Sequence, residues 1–166
     1  MTNGLRAVPL GVAPCQAAPG AGVVAPEQVA LEFWKQADLP VPDPVIAPGW
    51  AITGRTAYLE TNAAPSAQFS WTIPGFGVLT VDADAALTVD WGDGGGVRSY
   101  ASAASGPWPD GGVTNVYGDA GVVDVVVTQD WTARWSLGGA SGTLGGLQTS
   151  GVIDDFEVRQ IQAVIG

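Results

Sequence analysis

The chain has 166 residues, 46% of them hydrophobic, enough for one sizeable domain or a smaller one with an appendage. Its net charge is −10, and its six basic residues (Arg6, Lys35, Arg55, Arg98, Arg134 and Arg159) are scattered singly, which argues against nucleic acid and anionic membranes as partners. Histidine is absent and Cys15 is the only cysteine, so an intrachain disulfide, a Ser-His-Asp triad and the commonest metal ligand are excluded together.

Charged residues make up only 13%, whereas Gly (24) and Pro (12) are abundant, a composition that favours short strands between turns. Residues 1–25 read as an Ala/Gly/Pro-rich disordered leader that cannot bury enough surface to order itself. Pro9, Pro14 and Pro19 interrupt any signal-like apolar segment there, and Cys15 reads as an inert small residue. No run reaches the roughly 18 uninterrupted apolar residues of a membrane helix, so no membrane insertion is expected.

Residues 26–49 read as a short helix and a Pro-rich linker. Pro26 suits the first helical turn, and Glu27 sits at the positive end of the dipole. Val29, Ala30, Phe33, Trp34 and Ala37 form one apolar face, so the helix should run over 26–38 and dock on the body that follows. The run from Leu39 to Pro44 ends it, because proline forbids helix for itself and its predecessor.

From Trp50 to the end, strand patterns separated by Gly, Pro, Asn and Asp clusters predict one all-β antiparallel sandwich over 50–166. The predicted strands are Thr56–Glu60, Gln68–Ile73, Val78–Ala83, Leu87–Trp91, Val113–Val116, Val122–Leu137 and Phe156–Ile165. In the longest, Val123, Val125, Val127, Trp131, Ala133, Trp135 and Leu137 share one face, with only Gln129 interrupting the row. Its length predicts a bulge or bend near Gln129-Asp130, with the second half pairing outside the minimal body. A bulge near Gln160 would bring Phe156, Val158 and the later Ile161 onto one face. The glycine-rich run Gly138–Gly146 reads as a mobile connection. It is not a phosphate cradle, since no Lys-Ser/Thr follows it and no helix opens after it.

One constellation carries a resemblance. Leu87-Thr88-Val89-Asp90-Trp91 alternates and then breaks on Gly92-Asp93-Gly94, a strand closed by a tight turn. Asn115-Val116-Tyr117 follows, and then Gly121-Val122-Val123-Asp124-Val125. Residues 78–128 thereby resemble PKD (polycystic kidney disease) domains, which carry a Trp-containing strand ending in GDG, then H-x-Y, then G-x-Y-x-V-x-V. Asn115 stands where the family usually has His, and Val123 where it often has Tyr. The later runs from Trp131 to Trp135 and Val158 to Val164 look like uncharacterised exported actinobacterial proteins with such a domain. The resemblance implies an immunoglobulin-like fold, an extracellular or cell-envelope location, and a non-catalytic module for protein contact or spacing; a carbohydrate-binding module for cell-wall polysaccharide is the alternative reading. Trp91, Gly92, Asp93, Gly94, Tyr117 and Gly121 are then its structural motif.

The remaining chemistry is acidic. Asp82 with Asp84, Asp90 with Asp93, and Asp154 with Asp155 are carboxylate pairs of the kind glycoside hydrolysis uses, but turn structure accounts for them equally well, and no catalytic residue is assigned. Calcium takes hard oxygen ligands from loops, so Asp90, Asp93 and Asp119 are its candidate ligands, although the D-x-[DN]-x-[DN]-G loop is absent. No other cofactor is indicated. Trp108, in a loop braced by Pro107 and Pro109, is expected to fold back on the sheet edge, the alternative being a rigid platform. With Asp110 it is the candidate contact for a partner.

Overall fold

The structure, a computed structural model, describes residues 24–162. Nearly all of the leader expected over 1–25, and residues 163–165 of the predicted last strand, lie outside them. The elements in chain order are α1 (Pro26–Lys35), β1 (Val45–Ile46), β2 (Trp50–Ile52), β3 (Thr56–Glu60), β4 (Ser66–Ile73), β5 (Gly77–Asp90), β6 (Val97–Tyr100), a 3-10 turn (Ser102–Ala104), β7 (Thr114–Val116), β8 (Gly121–Leu137) and β9 (Ala140–Arg159). The chain is thus mostly β, two sheets packed as a sandwich with one short helix.

The larger sheet runs β2-β9-β8-β5-β4, with β6 pairing on β5 beyond the end of β4. Its pairs are antiparallel except β2 on β9, which runs parallel with Trp50 opposite Glu157. The smaller sheet is β1-β3-β7. Each hairpin follows from its turn. Between β4 and β5, Pro74 and Gly75 (φ 87°) occupy the two central positions of a turn closed by the Phe76 N–H on the Ile73 carbonyl (3.0 Å).

Two hydrophobic cores lie end to end on the same long strands. The smaller sheet covers one, built from Ile46, Leu59, Leu87, Val89, Trp91, Val113, Tyr117, Val125, Val127, Phe156 and Val158. The helix covers the other, where Ala30 and Trp34 pack on Leu79, Val81, Ala83, Trp131, Trp135 and Leu137. Trp34 is fully buried and its indole N–H donates to the Gly145 carbonyl (3.0 Å). The expected docking of this helix is therefore seen, though α1 stops at Lys35, short of 38. Gln36 and Ala37 N–H groups close its last turn on Phe33 and Trp34.

Gln129 marks the junction of the cores. It is buried at 1% exposure, its amide donates to the Ala64 carbonyl (3.3 Å), and its carbonyl accepts from Thr149 Oγ1 (3.5 Å). The bulge expected near Gln129-Asp130 does not occur. Pairing with β5 stays in register from Asp90↔Val126 to Leu79↔Leu137, because a satisfied glutamine costs less than breaking the ladder.

The other differences also have physical causes. Val78–Ala83 and Leu87–Trp91 are one strand, β5, whose acidic stretch simply turns Asp82 and Asp84 to solvent while Ala83 and Ala85 stay buried. The supposed mobile run Gly138–Gly146 is mostly strand. Only Gly138 and Gly139 turn, and Gly142 sits in β9 opposite Trp135, where a Cβ would lie 2.8 Å from the indole nitrogen. The last strand ends at Arg159, and the bulge expected near Gln160 lies earlier. Register shifts fall between Leu144 and Leu147 and between Ile153 and Phe156, the second at Asp155 (φ 51°), whose N–H donates to Asp124 Oδ1 (3.0 Å).

Candidate functional site

The GDG turn and the Asn-x-Tyr strand are joined by direct bonds. Gly92 (φ 73°) follows the buried Trp91, and a Cβ there would lie 2.5 Å from the Asp124 carbonyl, so only glycine lets the chain turn against β8. Asp90 Oδ1 accepts the Gly92 N–H (3.0 Å), and Asp93 Oδ1 accepts that of Gly95 (2.9 Å). The second Asp93 oxygen accepts from Asn115 Nδ2 (3.1 Å) and Arg98 Nη2 (3.0 Å), while Arg98 Nη1 donates to Asn115 Oδ1. Burial raises the pKa of Asp93, but the Gly95 N–H, the Asn115 amide and the Arg98 guanidinium outweigh it and hold the carboxyl below its usual value.

Beneath this turn, Tyr117 donates its hydroxyl to the Trp91 carbonyl (2.9 Å), and the Trp91 indole donates to Tyr100 Oη (2.8 Å). Both tyrosine rings meet Trp91 edge-on, at 6.4 and 6.3 Å between centroids. Burial, followed by the charge of Asp93, pushes the Tyr117 phenol well above its usual value, so it stays a neutral donor. Gly94 continues the turn with φ 81°, and Gly121 opens β8 opposite Val158.

The candidate calcium ligands do not assemble around one point. Both oxygens of Asp93 and one of Asp90 already accept protein donors, and Asp119 is exposed in the turn before β8. Among the described residues no group of three or more His, Cys, Asp or Glu could hold a metal ion. Asp82 and Asp84 lie on the outer face of the large sheet beside Thr132, Arg134 and Thr143, in a depression of about 460 Å³. Asp154 and Asp155 stand in the bulge of β9.

Trp108 does not fold back on the body: it is 74% exposed. Its loop is nevertheless held, since the Asp110 and Gly111 N–H groups both reach the Pro107 carbonyl (3.1 and 2.9 Å) and Gly112 N–H reaches that of Ala104 (2.7 Å). None of these bonds uses the indole. Trp108 borders an open groove of about 580 Å³ with Ile52, Thr53, Arg55, Thr56, Tyr58 and Ile161. Arg55 makes no ion pair among the described residues, and Ile161 is 66% exposed. Asp110 is exposed but does not line the groove.

The groove thus combines an aromatic platform, an unpaired guanidinium and threonine hydroxyls. Of these, sequence reasoning singled out Trp108 alone. Arg55 and Tyr58 looked like ordinary turn and strand residues, because their convergence depends on the Thr53 N–H binding the Arg159 carbonyl (2.9 Å) and the Gly54 N–H that of Tyr117 (3.0 Å). No helix among the described residues is long and apolar enough to cross a membrane. Comparison with known proteins finds no matching family model, no matching curated protein and no matching solved structure.

Proposed function

We propose that the chain is a non-enzymatic interaction module of a bacterial cell envelope, acting outside the cytoplasm, and that its contact surface is the groove bordered by Trp108. One observation carries the reading: a tryptophan left 74% exposed on a loop held by its own backbone hydrogen bonds. Leaving so large an apolar ring in water is unfavourable unless a partner covers it, and tryptophan is the residue most enriched at binding hot spots. The PKD-like reading of residues 78–128 points the same way. It is supported by the bonds from Asp93 to Asn115 and from Tyr117 to Trp91, which make the two sequence motifs a single unit. The acidic pairs are better understood as turn and surface residues than as a hydrolase centre, since Asp90 and Asp93 are engaged by backbone and side-chain donors.

A polysaccharide partner is the second reading. Thr53, Thr56, Arg55 and Tyr58 set hydroxyls and a guanidinium beside the indole, the mixture that holds a sugar ring by stacking and by bonds to its hydroxyls. Cosedimentation with isolated actinobacterial cell walls tests both. Wild type should bind and Trp108→Ala should not, while both melt at the same temperature. Protease treatment of the walls should abolish binding to a protein partner and leave binding to a polysaccharide intact. Equal sedimentation of wild type and Trp108→Ala would show the groove is not the contact surface.

A further inference from the structure

The outer edge of the large sheet is unguarded. Strand β4 is the terminal strand, and among the described residues no strand pairs on its far side. The phase of its free backbone groups is fixed by the Ala85 N–H on the Pro65 carbonyl (2.9 Å), one step beyond the Ser66↔Asp84 pair. Bonded and unbonded pairs alternate in an antiparallel ladder. Ala67, Phe69, Trp71 and Ile73 therefore exchange backbone bonds with β5, and Ser66, Gln68, Ser70 and Thr72 turn their N–H and C=O groups outward.

Natural sheets blunt such an edge with charge, proline, a bulge or brevity. Ser66-Ala67-Gln68-Phe69-Ser70-Trp71-Thr72-Ile73 uses none of these, and no charged residue occurs between Glu60 and Asp82 in a chain of net charge −10. Aromatic surface lies alongside. Phe69 stacks on Trp71 at 5.4 Å, Phe33 of α1 meets Trp71 at 5.0 Å, and all three rings are only half-buried.

We propose that a second copy of this chain covers the edge, pairing β4 antiparallel with its own counterpart about a two-fold axis at Phe69. In that register Gln68 stands opposite the partner's Ser70 and Ser66 opposite the partner's Thr72, so every outward backbone group of both strands is used. Phe69 meets the partner's Phe69 on the inner face at the axis. The uncharged edge is the patch on which two strongly acidic copies can approach. The Asp82 rows would stand three strand spacings apart, about 14 Å, beyond the roughly 8 Å over which charges act at physiological ionic strength.

Sedimentation velocity of the full chain over a concentration series tests this. Wild type should pass from monomer to dimer as concentration rises. Ser70→Pro removes an outward N–H that the monomer does not use, and should raise Kd by about tenfold or more without moving the melting temperature. In a Cys15→Ser background, Phe69→Cys should form an oxidised dimer across the axis, whereas Gln68→Cys, which faces Ser70 and not itself, should not. The cysteine pair decides the matter if Ser70→Pro fails to fold. A wild type that stays monomeric at about 100 μM overturns the proposal and leaves the edge to a foreign strand. A dimer indifferent to Ser70→Pro, or crosslinking equal at 68 and 69, overturns it by placing the interface elsewhere.

Discussion

Asp93→Ala separates a structural turn from a metal site. The substitution removes the acceptor for the Gly95 N–H, for Asn115 Nδ2 and for Arg98 Nη2. Asn115 is 5% exposed, so its amide loses a partner that water replaces poorly, at about 1 kcal/mol. The local bond to Gly95 contributes about 0.5–1 kcal/mol, as turn and cap bonds do. Arg98 is 39% exposed, which limits that ion pair to about 0.5 kcal/mol. The sum is about 2–2.5 kcal/mol, or a fall of roughly 4–10 °C in melting temperature for a chain of this size. Thermal denaturation followed by circular dichroism reads it directly. Because Asp93 is held below its unfolded value of 3.8, the unfolded chain takes up the proton first, and this stabilisation is complete above that pH. The gap between wild type and mutant should stay constant above about pH 5 and narrow as pH falls through the folded-state value. Millimolar calcium should leave both melting temperatures where they were. A calcium-dependent rise in wild type that Asp93→Ala loses would refute the reasoning, because binding stabilises only through a site the mutant lacks.

Two further perturbations address the second core. Trp34→Ala empties a fully buried site and removes the bond to Gly145, so it should cost about 3–5 kcal/mol, while Trp34→Phe keeps most of the packing and should cost appreciably less; equilibrium urea unfolding distinguishes them. Gly142→Val should destabilise by about 1–3 kcal/mol, because its Cβ would press on the Trp135 indole, whereas Thr143→Val on the exposed face should change stability by under about 0.5 kcal/mol.

Much of the fold was legible wherever alternation ran unbroken. The inward row of β8 was readable from Val123 to Leu137, and even the interruption at Gln129 kept its parity, since the structure buries it in line. Strand β9, the longest, was legible only at its C-terminal end, Phe156–Arg159, where a strand was expected. Its inward positions include Ala140, Gly142, Leu144, Leu147, Thr149, Ile153, Phe156 and Val158, and the two bulges break the period of two at both apolar ends. Gly142 looked like loop because what requires a glycine there, the Trp135 indole across the ladder, emerges only once the register is known. The short strands β1, β2 and β6 carry too few residues for any period to emerge. At the site, the Asp93 turn was readable because its bonds are local. Trp108 was expected to pack back on the sheet edge, and the groove beside it was missed because it joins segments from three parts of the chain.

The burial of Trp34 sets a timetable for synthesis. Its hydrogen-bond partner Gly145 lies 111 residues downstream, and the strands that cover its ring, β5, β8 and β9, appear after it. The parallel pair of Trp50 with Glu157 imposes a similar delay on the first core. At translation rates of about 5–20 residues per second, the helix emerges with its apolar face bare for roughly 5–20 s. Neither core can close until the final third of the chain has been made, so a chaperone that meets the nascent chain earlier meets it with both cores open.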